Sequence, residues 1–456
     1  MKIQSKILLF YLVLLLSAPA LAQEKPLLSI SGELLTDQRF LFKNDNEWAW
    51  NENRLTLELD KKVNDKSKFH SEIWVRNLGV PNIGSSSQLY NKGIMEPYDI
   101  EVREAYIELY KFLLPKLDVK IGRQRLAWGT ADKLNPTDNL NPYDLEDIID
   151  FGRHRASDAI SMEYYFNHDY SLQLAYIPFF KPWNMPVGLF SDILVPESPA
   201  NLGQATSLII NDQVVSPDNN LGSSATFGAC LSGFAFNFDF ALNYLWGYDG
   251  QPFITDKVLF PYDTIGGIQV DTRLDFSRNH IFGASIAGTI GGFGIWSEVA
   301  VTLPDTEIRS RTDLTQVFGT PIVIDTVLLK KESYVKYIIG TDYHLGDGSY
   351  FNFQYLHGFF NERGKDNLND YFFMRFEKPL FNNKLLLSLI NGGFVVSEWD
   401  DIKNNYALLY LPEIKYTATP NTHIYISSVI FKGKGSSTFS GLDDYNMFML
   451  KVEYSF

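Results

Sequence analysis

The sequence predicts an all-β fold, a single transmembrane antiparallel up-and-down β-barrel of about 18 strands, with 16 as the nearest even alternative. Three observations predict it. The chain ends on a strict alternation in which Phe448, Leu450, Val452, Tyr454 and Phe456 interleave with Met449, Lys451, Glu453 and Ser455, a period of two that gives a strand one apolar and one mostly polar face. Aromatic residues make up 15% of the chain (34 Phe, 25 Tyr, 8 Trp), yet the hydrophobic total is an ordinary 45%. A wall whose alternate residues meet lipid and water, with aromatic girdles at both interfaces, has this composition. Finally, no stretch after the leader approaches the roughly 18 apolar residues that a membrane helix needs.

The elements follow in order. Lys2 and Lys6, the apolar run Ile7 to Leu16 and the small-residue site Ala20-Leu21-Ala22 read as a signal peptide over residues 1–22, leaving 23–456 as the barrel. The first strand is expected at Ile30 to Phe42, which leaves no room for a plug domain before it. Alternation recurs at Leu55, Leu57 and Leu59, at Leu172, Leu174 and Tyr176, and from Phe236 through Phe238, Phe240 and Leu242 to Tyr244. Short turns are expected at Val63 to Ser67, Leu113 to Lys116, Asn167 to Asp169, Gly291-Gly292, Gly346 to Gly348, Asn382-Asn383 and Pro420-Asn421. Long outer loops are expected at Gly79 to Tyr98, Gly129 to Ala156, Phe179 to Gly222, Gly247 to Asn279 and Pro304 to Glu332. The paired glycines at 291 and 292 accept the positive φ angles of a tight hairpin joining Ile281 to Ile290 with Phe293 to Val301. Pro412 cannot donate a ladder bond, so the segment Tyr406 to Tyr416 needs a bulge or must begin late.

Removing Lys2 and Lys6 with the leader takes the formal charge from −14 to −16, the wrong balance for a nucleic-acid partner. The single cysteine, Cys230, excludes an intramolecular disulfide and is expected to be a small buried or lipid-facing side chain. None of the histidines, His70, His154, His168, His280, His344, His357 and His423, sits in a nucleophile motif, and neither a catalytic site, a cofactor nor a metal site is expected.

The densest polar region runs from Asp99 to Arg155: Arg103-Glu104-Ala105-Tyr106, Gly122-Arg123-Gln124-Arg125, Trp128-Gly129, Asn135-Pro136, Asn141-Pro142 and Phe151-Gly152-Arg153-His154-Arg155. It resembles a family of poorly characterised Gram-negative outer-membrane barrels with a Gly-Arg-Gln strand end, a nearby Trp-Gly and an Asn-Pro loop, related in style to alginate-export and substrate-selective porins. The final strand likewise resembles the terminal signal that the barrel-assembly machinery reads, carried here by Phe448, Leu450, Val452, Tyr454 and Phe456. These resemblances imply a porin-like channel of the outer membrane and no particular substrate.

Parity then sorts the candidates. With Leu117, Val119 and Ile121 toward lipid, Lys120 and Gln124 point to the lumen, as do Glu104, Tyr106 and Glu108 on the neighbouring strand. Strict parity turns Arg123 and Arg125 outward, whereas a bulge at Gly122 would swing both inward. The loop beyond is expected to carry a short helix capped by Asn141, with Pro142 in its first turn, Asp144 and Glu146 at the positive end of its dipole and Gly152 as its stop. Its apolar side, Leu145, Ile148 and Ile149, would fold into the mouth and narrow it, bringing Asp144, Asp147, Arg153 and Arg155 to the constriction. The reading is a passive or weakly selective pore for small hydrophilic solutes, in contact with outer-membrane lipid and lipopolysaccharide and with no nucleic-acid partner. The alternatives are a barrel-form enzyme acting on lipid, or a non-conducting adhesin or scaffold.

Overall fold

A computed structural model describes residues 28–43, 47–80, 83–187, 208–261, 267–435 and 437–456, so the expected leader and parts of several loops lie outside the described residues. The chain runs through β1 (Leu28–Leu41), β2 (Trp48–Asn64), β3 (Ser67–Leu78), β4 (Tyr98–Leu109), β5 (Leu117–Gln124), β6 (Ser157–Tyr165), β7 (Tyr170–Ile177) and β8 (Leu208–Val215). It continues through β9 (Thr226–Ala235), β10 (Phe238–Pro261), β11 (Ile268–Ile290), β12 (Phe293–Pro304), β13 (Ile308–Asp313), β14 (Val323–Leu329) and β15 (Tyr334–His344). The last are β16 (Tyr350–His357), β17 (Asp370–Leu380), β18 (Leu385–Val396), β19 (Tyr406–Tyr410), β20 (Glu413–Thr419), β21 (Thr422–Lys434) and β22 (Met447–Ser455).

Each wall strand pairs antiparallel with its neighbours, and β22 closes on β1 from Glu33↔Ser455 to Leu41↔Met447. Strands β8, β13 and β14 stand outside this circuit, and β19 with β20 makes one interrupted wall strand, so the barrel has 18 strands. The interruption falls at Leu411-Pro412, where proline removes the ladder donor and its carbonyl accepts from Ser428 N at 3.1 Å. At the seam, Gly32 and Phe456 exchange backbone bonds of 3.0 Å each way, and the Phe456 ring lies over Gly32, occupying space a Cβ would need. Phe448, Leu450, Val452 and Tyr454 pair with Phe40, Gln38, Thr36 and Leu34 on the outer face, where Leu450, Tyr454 and Phe456 stay exposed. Outward aromatic pairs such as Phe293 with Tyr343 (4.5 Å) near the short turns and Tyr176 with Phe227 (5.1 Å) near the long loops form the two girdles of a lipid-facing barrel.

Three expectations need correction. The alternation from Phe236 to Tyr244 is not one strand: Phe236 and Asn237 both have positive φ (55° and 64°) and form the two-residue turn between β9 and β10. Phe236 sits at the tip, 96% exposed, and its phase with Phe238 and Phe240 hides the turn. The segment Gly247 to Asn279 is largely not an irregular loop, because β10 and β11 stay paired up to Pro261↔Ile268. This ribbon rises past the wall and gains β8 and β13 as parallel neighbours. The helix expected from Asn141 does not form; residues 141–152 run as turns with isolated bridges Tyr143↔His154 and Asp144↔Asn184.

Candidate functional site

Inward parity places Tyr106 and Glu108 of β4 opposite Gly122 and Lys120 of β5, with Glu104 opposite Glu72 of β3, and these β4 and β5 residues are half-buried on the lumen face toward the short turns. The Lys120 ammonium lies 4.5 Å from the Tyr106 ring centre, a cation–π contact, while Tyr110 donates to Glu108 at 3.0 Å. Gly122 has φ +131° because β4 passes so close that a Cβ would strike the Ala105 carbonyl and the Tyr106 backbone. The ladder nevertheless runs through without a slip. Arg123 therefore stays outward, 3.4 Å from Asp158. The strand then stops at Gln124, which is fully buried, donating to Ala159 O (2.9 Å) and accepting from Ser161 (2.8 Å). Arg125, freed from the ladder, turns inward to Asp138 and Asn141. The two arginines part because the strand ends between them.

The chain from 125 to 156 crosses the lumen, and two walls hold it by different chemistry. On the β1–β4 side its acids meet inward arginines: Asp147 with Arg39 (2.6 Å), Glu146 with Arg76, and Asp144 with Arg103 (2.9 Å). From within the loop, Arg153 bonds Asp144 at 3.0 Å, and Arg155 lies 3.8 Å from Glu101. The Trp74 indole stacks under Arg54 and Arg103, at 4.1 and 4.2 Å, as their shared floor. Arg103 occupies a bulge between Val102 and Glu104, which adds an inward side chain where regular pleating would alternate. Burial pushes the Asp144 carboxyl up, but Arg153 and Arg103 outweigh it and hold the pKa at about 2. Asp147, wholly buried, is likewise held below its ordinary value because Arg39 overcomes the desolvation. The acids that could have opened a helix are thus spent on wall arginines, and the Asn141 oxygen takes Leu126 N (2.8 Å) instead of capping. Among the described residues no group of three or more His, Cys, Asp or Glu converges as a metal site.

The opposite wall contributes Glu298 of β12, 1% exposed. It has no cation. Its carboxylate accepts from Thr130 N, Ala131 N, Asn135 Nδ2, Thr137 N and Thr137 Oγ1 at 2.5 to 3.3 Å, so the loop's own donors wrap the charge. Gly129 (φ +106°) runs so close to this carboxylate that a Cβ would overlap it.

Between these anchors the loop presses Trp128 and Leu140 against β6, β7, β9 and β10, where Ala159, Ala175, Ile177, Cys230 and Leu245 complete a buried apolar cluster. Gly228 makes room, since a Cβ there would sit 2.6 Å from the Trp128 ring. Trp128 also donates to Gln173 at 2.7 Å. A cavity lies on each side of this seam, polar toward the long loops and of mixed lining toward the short turns. The one toward the long loops, about 70 Å³, touches β7 at Ile177, β9 at Thr226, β10 at Leu245 and beyond, and β11 at Asn279 and Ile281. The one toward the short turns, about 430 Å³, touches the same strands lower, at Gln173, Cys230, Ala241 and Ser285.

The structure therefore brings Asp144, Asp147, Arg153 and Arg155 together at the loop's anchor, keeps Glu104, Tyr106, Glu108 and Lys120 on the lower wall, buries Gln124 and sends Arg123 outside. Sequence reasoning missed Arg39, Arg76, Trp74 and Glu298, which lie far along the chain. For Glu298 the available signal was a charge on the inward phase of an otherwise apolar strand. Cys230 faces inward under Trp128.

Fold and site define a class, a closed 18-strand antiparallel barrel of the outer-membrane type with a loop folded across its lumen. The chain belongs to the family described as Protein of unknown function (DUF1302), whose model matches residues 54–362 and so includes the whole cross-lumen loop, Arg76 and Glu298. Among solved structures it is similar to in-vitro-folded OmpT, an outer membrane protein of Vibrio cholerae, at 12% identity, covering 96% of this chain and 100% of that one with a TM-score of 0.43. It is also similar to Salmonella typhi OmpF in complex with daunomycin, at 9% identity over 94% and 97% of the two chains, TM-score 0.40. No curated protein matches the chain.

Proposed function

We propose that this protein is an outer-membrane pore for small hydrophilic solutes, without enzymatic activity, in which the loop 125–156 is the selectivity element and the Trp128–Leu140 seam its narrowest point. The observation that carries the reading is the stacking of two cavities against the same strands, parted by one apolar contact that the loop supplies. A barrel of 16 to 18 strands is wide enough for an aqueous channel, and a loop anchored to both walls converts that width into a filter. Residues 1–22 act as the export signal, the exposed outer band meets lipid and lipopolysaccharide, and the terminal strand engages the assembly machinery. Below the seam Glu104, Glu108 and Lys120 set the charge preference, since side chains lining a pore tune which ions pass.

Purified protein in a planar bilayer tests this. Discrete conductance steps are expected, with ion preference shifting toward anions in Glu104→Lys/Glu108→Lys. A barrel that inserts and never conducts would refute the pore, and unchanged preference would remove those two glutamates from the lining.

A further inference from the structure

We propose that the mouth of the barrel holds a binding site for a neutral or cationic one- or two-ring molecule bearing a hydroxyl or amine donor. A cavity of about 220 Å³ lies above the loop, walled chiefly by Phe151, Phe359, Phe360, Phe431, Phe439 and Trp183. Protein interiors are close-packed, and few voids exceed a water molecule. An apolar cavity of about 150 Å³ is enough to bind benzene, so this one has room for about two fused rings.

The wall is organised by buried polar groups and is not slack packing. The turn bearing Phe359 and Phe360 is gripped from below by Lys336, which donates to their carbonyls at 2.6 and 3.2 Å. Glu362 closes the same turn by accepting from Phe359 N (2.8 Å) and Asn369 N (3.0 Å). Arg363 ties it to the β10–β11 ribbon through Asp249 at 2.7 Å. Such second-layer support holds a site's contact residues in place.

Chemistry selects the occupant. Two amides of the lining, Gln251 and Asn361, each keep a buried side-chain oxygen with no hydrogen-bond partner among the described residues, and an acceptor left so is costly until a donor reaches it. Asp147 and Asp150 also line the cavity. Asp147 is matched by Arg39, and the Asp150 side chain is 46% exposed with Arg153 3.7 Å away. With both acids already matched and no Lys, Arg or His among the lining residues, a carboxylate-bearing ligand such as a fatty acid finds no cation there. Trp183 and Phe360 line both this cavity and the polar one above the seam, so the site adjoins the lumen. The binding site does not depend on conduction.

The test is equilibrium dialysis of 2-naphthol, naphthalene and 2-naphthoate against the full barrel in lipid nanodiscs, with empty nanodiscs as the blank. Saturable binding of 2-naphthol is expected, about tenfold tighter than naphthalene, a ratio set by one satisfied acceptor, and with 2-naphthoate weakest. Ile148→Trp, which fills the cavity, should abolish it. Gln251→Leu/Asn361→Leu should keep ring binding and erase the 2-naphthol preference, a readout that does not depend on the first variant folding. Uptake equal to the blank, tightest binding by the carboxylate, or a preference unchanged in the double variant would overturn the proposal.

Discussion

On the β1–β4 wall the cross-lumen loop is held by ion pairs, and on the β12 wall by a single uncompensated carboxylate. The difference teaches what each anchor is for. Arg39, Arg76 and Arg103 with their acids are pairs of buried charges whose attraction is largely offset by their desolvation, so they set the loop's register more than they stabilise it. Glu298 brings no partner charge, and five loop donors take the place of water around it. Charge-assisted bonds of this kind contribute about 1.5–3 kcal/mol each, so the loop's backbone path is folded around the carboxylate.

The comparison breaks most visibly at Glu298. Glu298→Ala should release the β12 side of the loop at a cost on the order of 5 kcal/mol, seen as rapid tryptic cleavage after Lys133 while the barrel stays intact; protection equal to wild type would show that the donors do not depend on it. Arg76→Ala leaves Glu146, Glu52 and Asp99 without their common cation and should cost about 3–5 kcal/mol. The paired change Arg76→Met/Glu146→Leu should recover most of that, and a double-mutant cycle on melting temperature measures it. A merely additive cycle would mean that the pair does not act as a unit.

Acid should separate the two anchors next. Asp144 titrates at about 2 in the fold against an ordinary 3.8, and Asp147 is lowered as well. A depressed carboxyl contributes stability that is fully present above its unfolded pKa and lost as pH falls through the folded one. Protection of the loop's acid side, read as tryptic cleavage after Arg153 following exposure at each pH, should therefore be flat from pH 7 to about 4 and decline from there toward 2; a decline already at pH 6 would point to a different group. Least is expected of Arg123→Ala. Its partner Asp158 lies on the outer face and is 42% exposed, so stability should change by less than about 1 kcal/mol.

What was legible in the sequence divides along the same line. The wall follows from alternation, and the strand count, the closing strand and the break at Pro412 are visible because pleating writes its period into single segments. The turn at Phe236-Asn237 escapes since an aromatic at its tip continues the alternation in phase, leaving only Asn237 as a marker. Loop 125–156 shows its acids, and they read as a helix start because the cations that take them, Arg39 and Arg76, belong to strands far away in the chain. Glu298 is illegible for a further reason: its partners are backbone N–H groups, and these have no letter in a sequence.

The central claim is that the loop is a filter whose closure is the Trp128–Leu140 contact against Gly228 and Cys230. Single-channel conductance of Trp128→Ala/Leu140→Ala beside wild type tests it most directly, because both residues lie at the seam and neither belongs to an anchor. A conductance several-fold above wild type is expected, in a barrel of unchanged protease resistance at Lys133; equal conductance in the two proteins would contradict the filter.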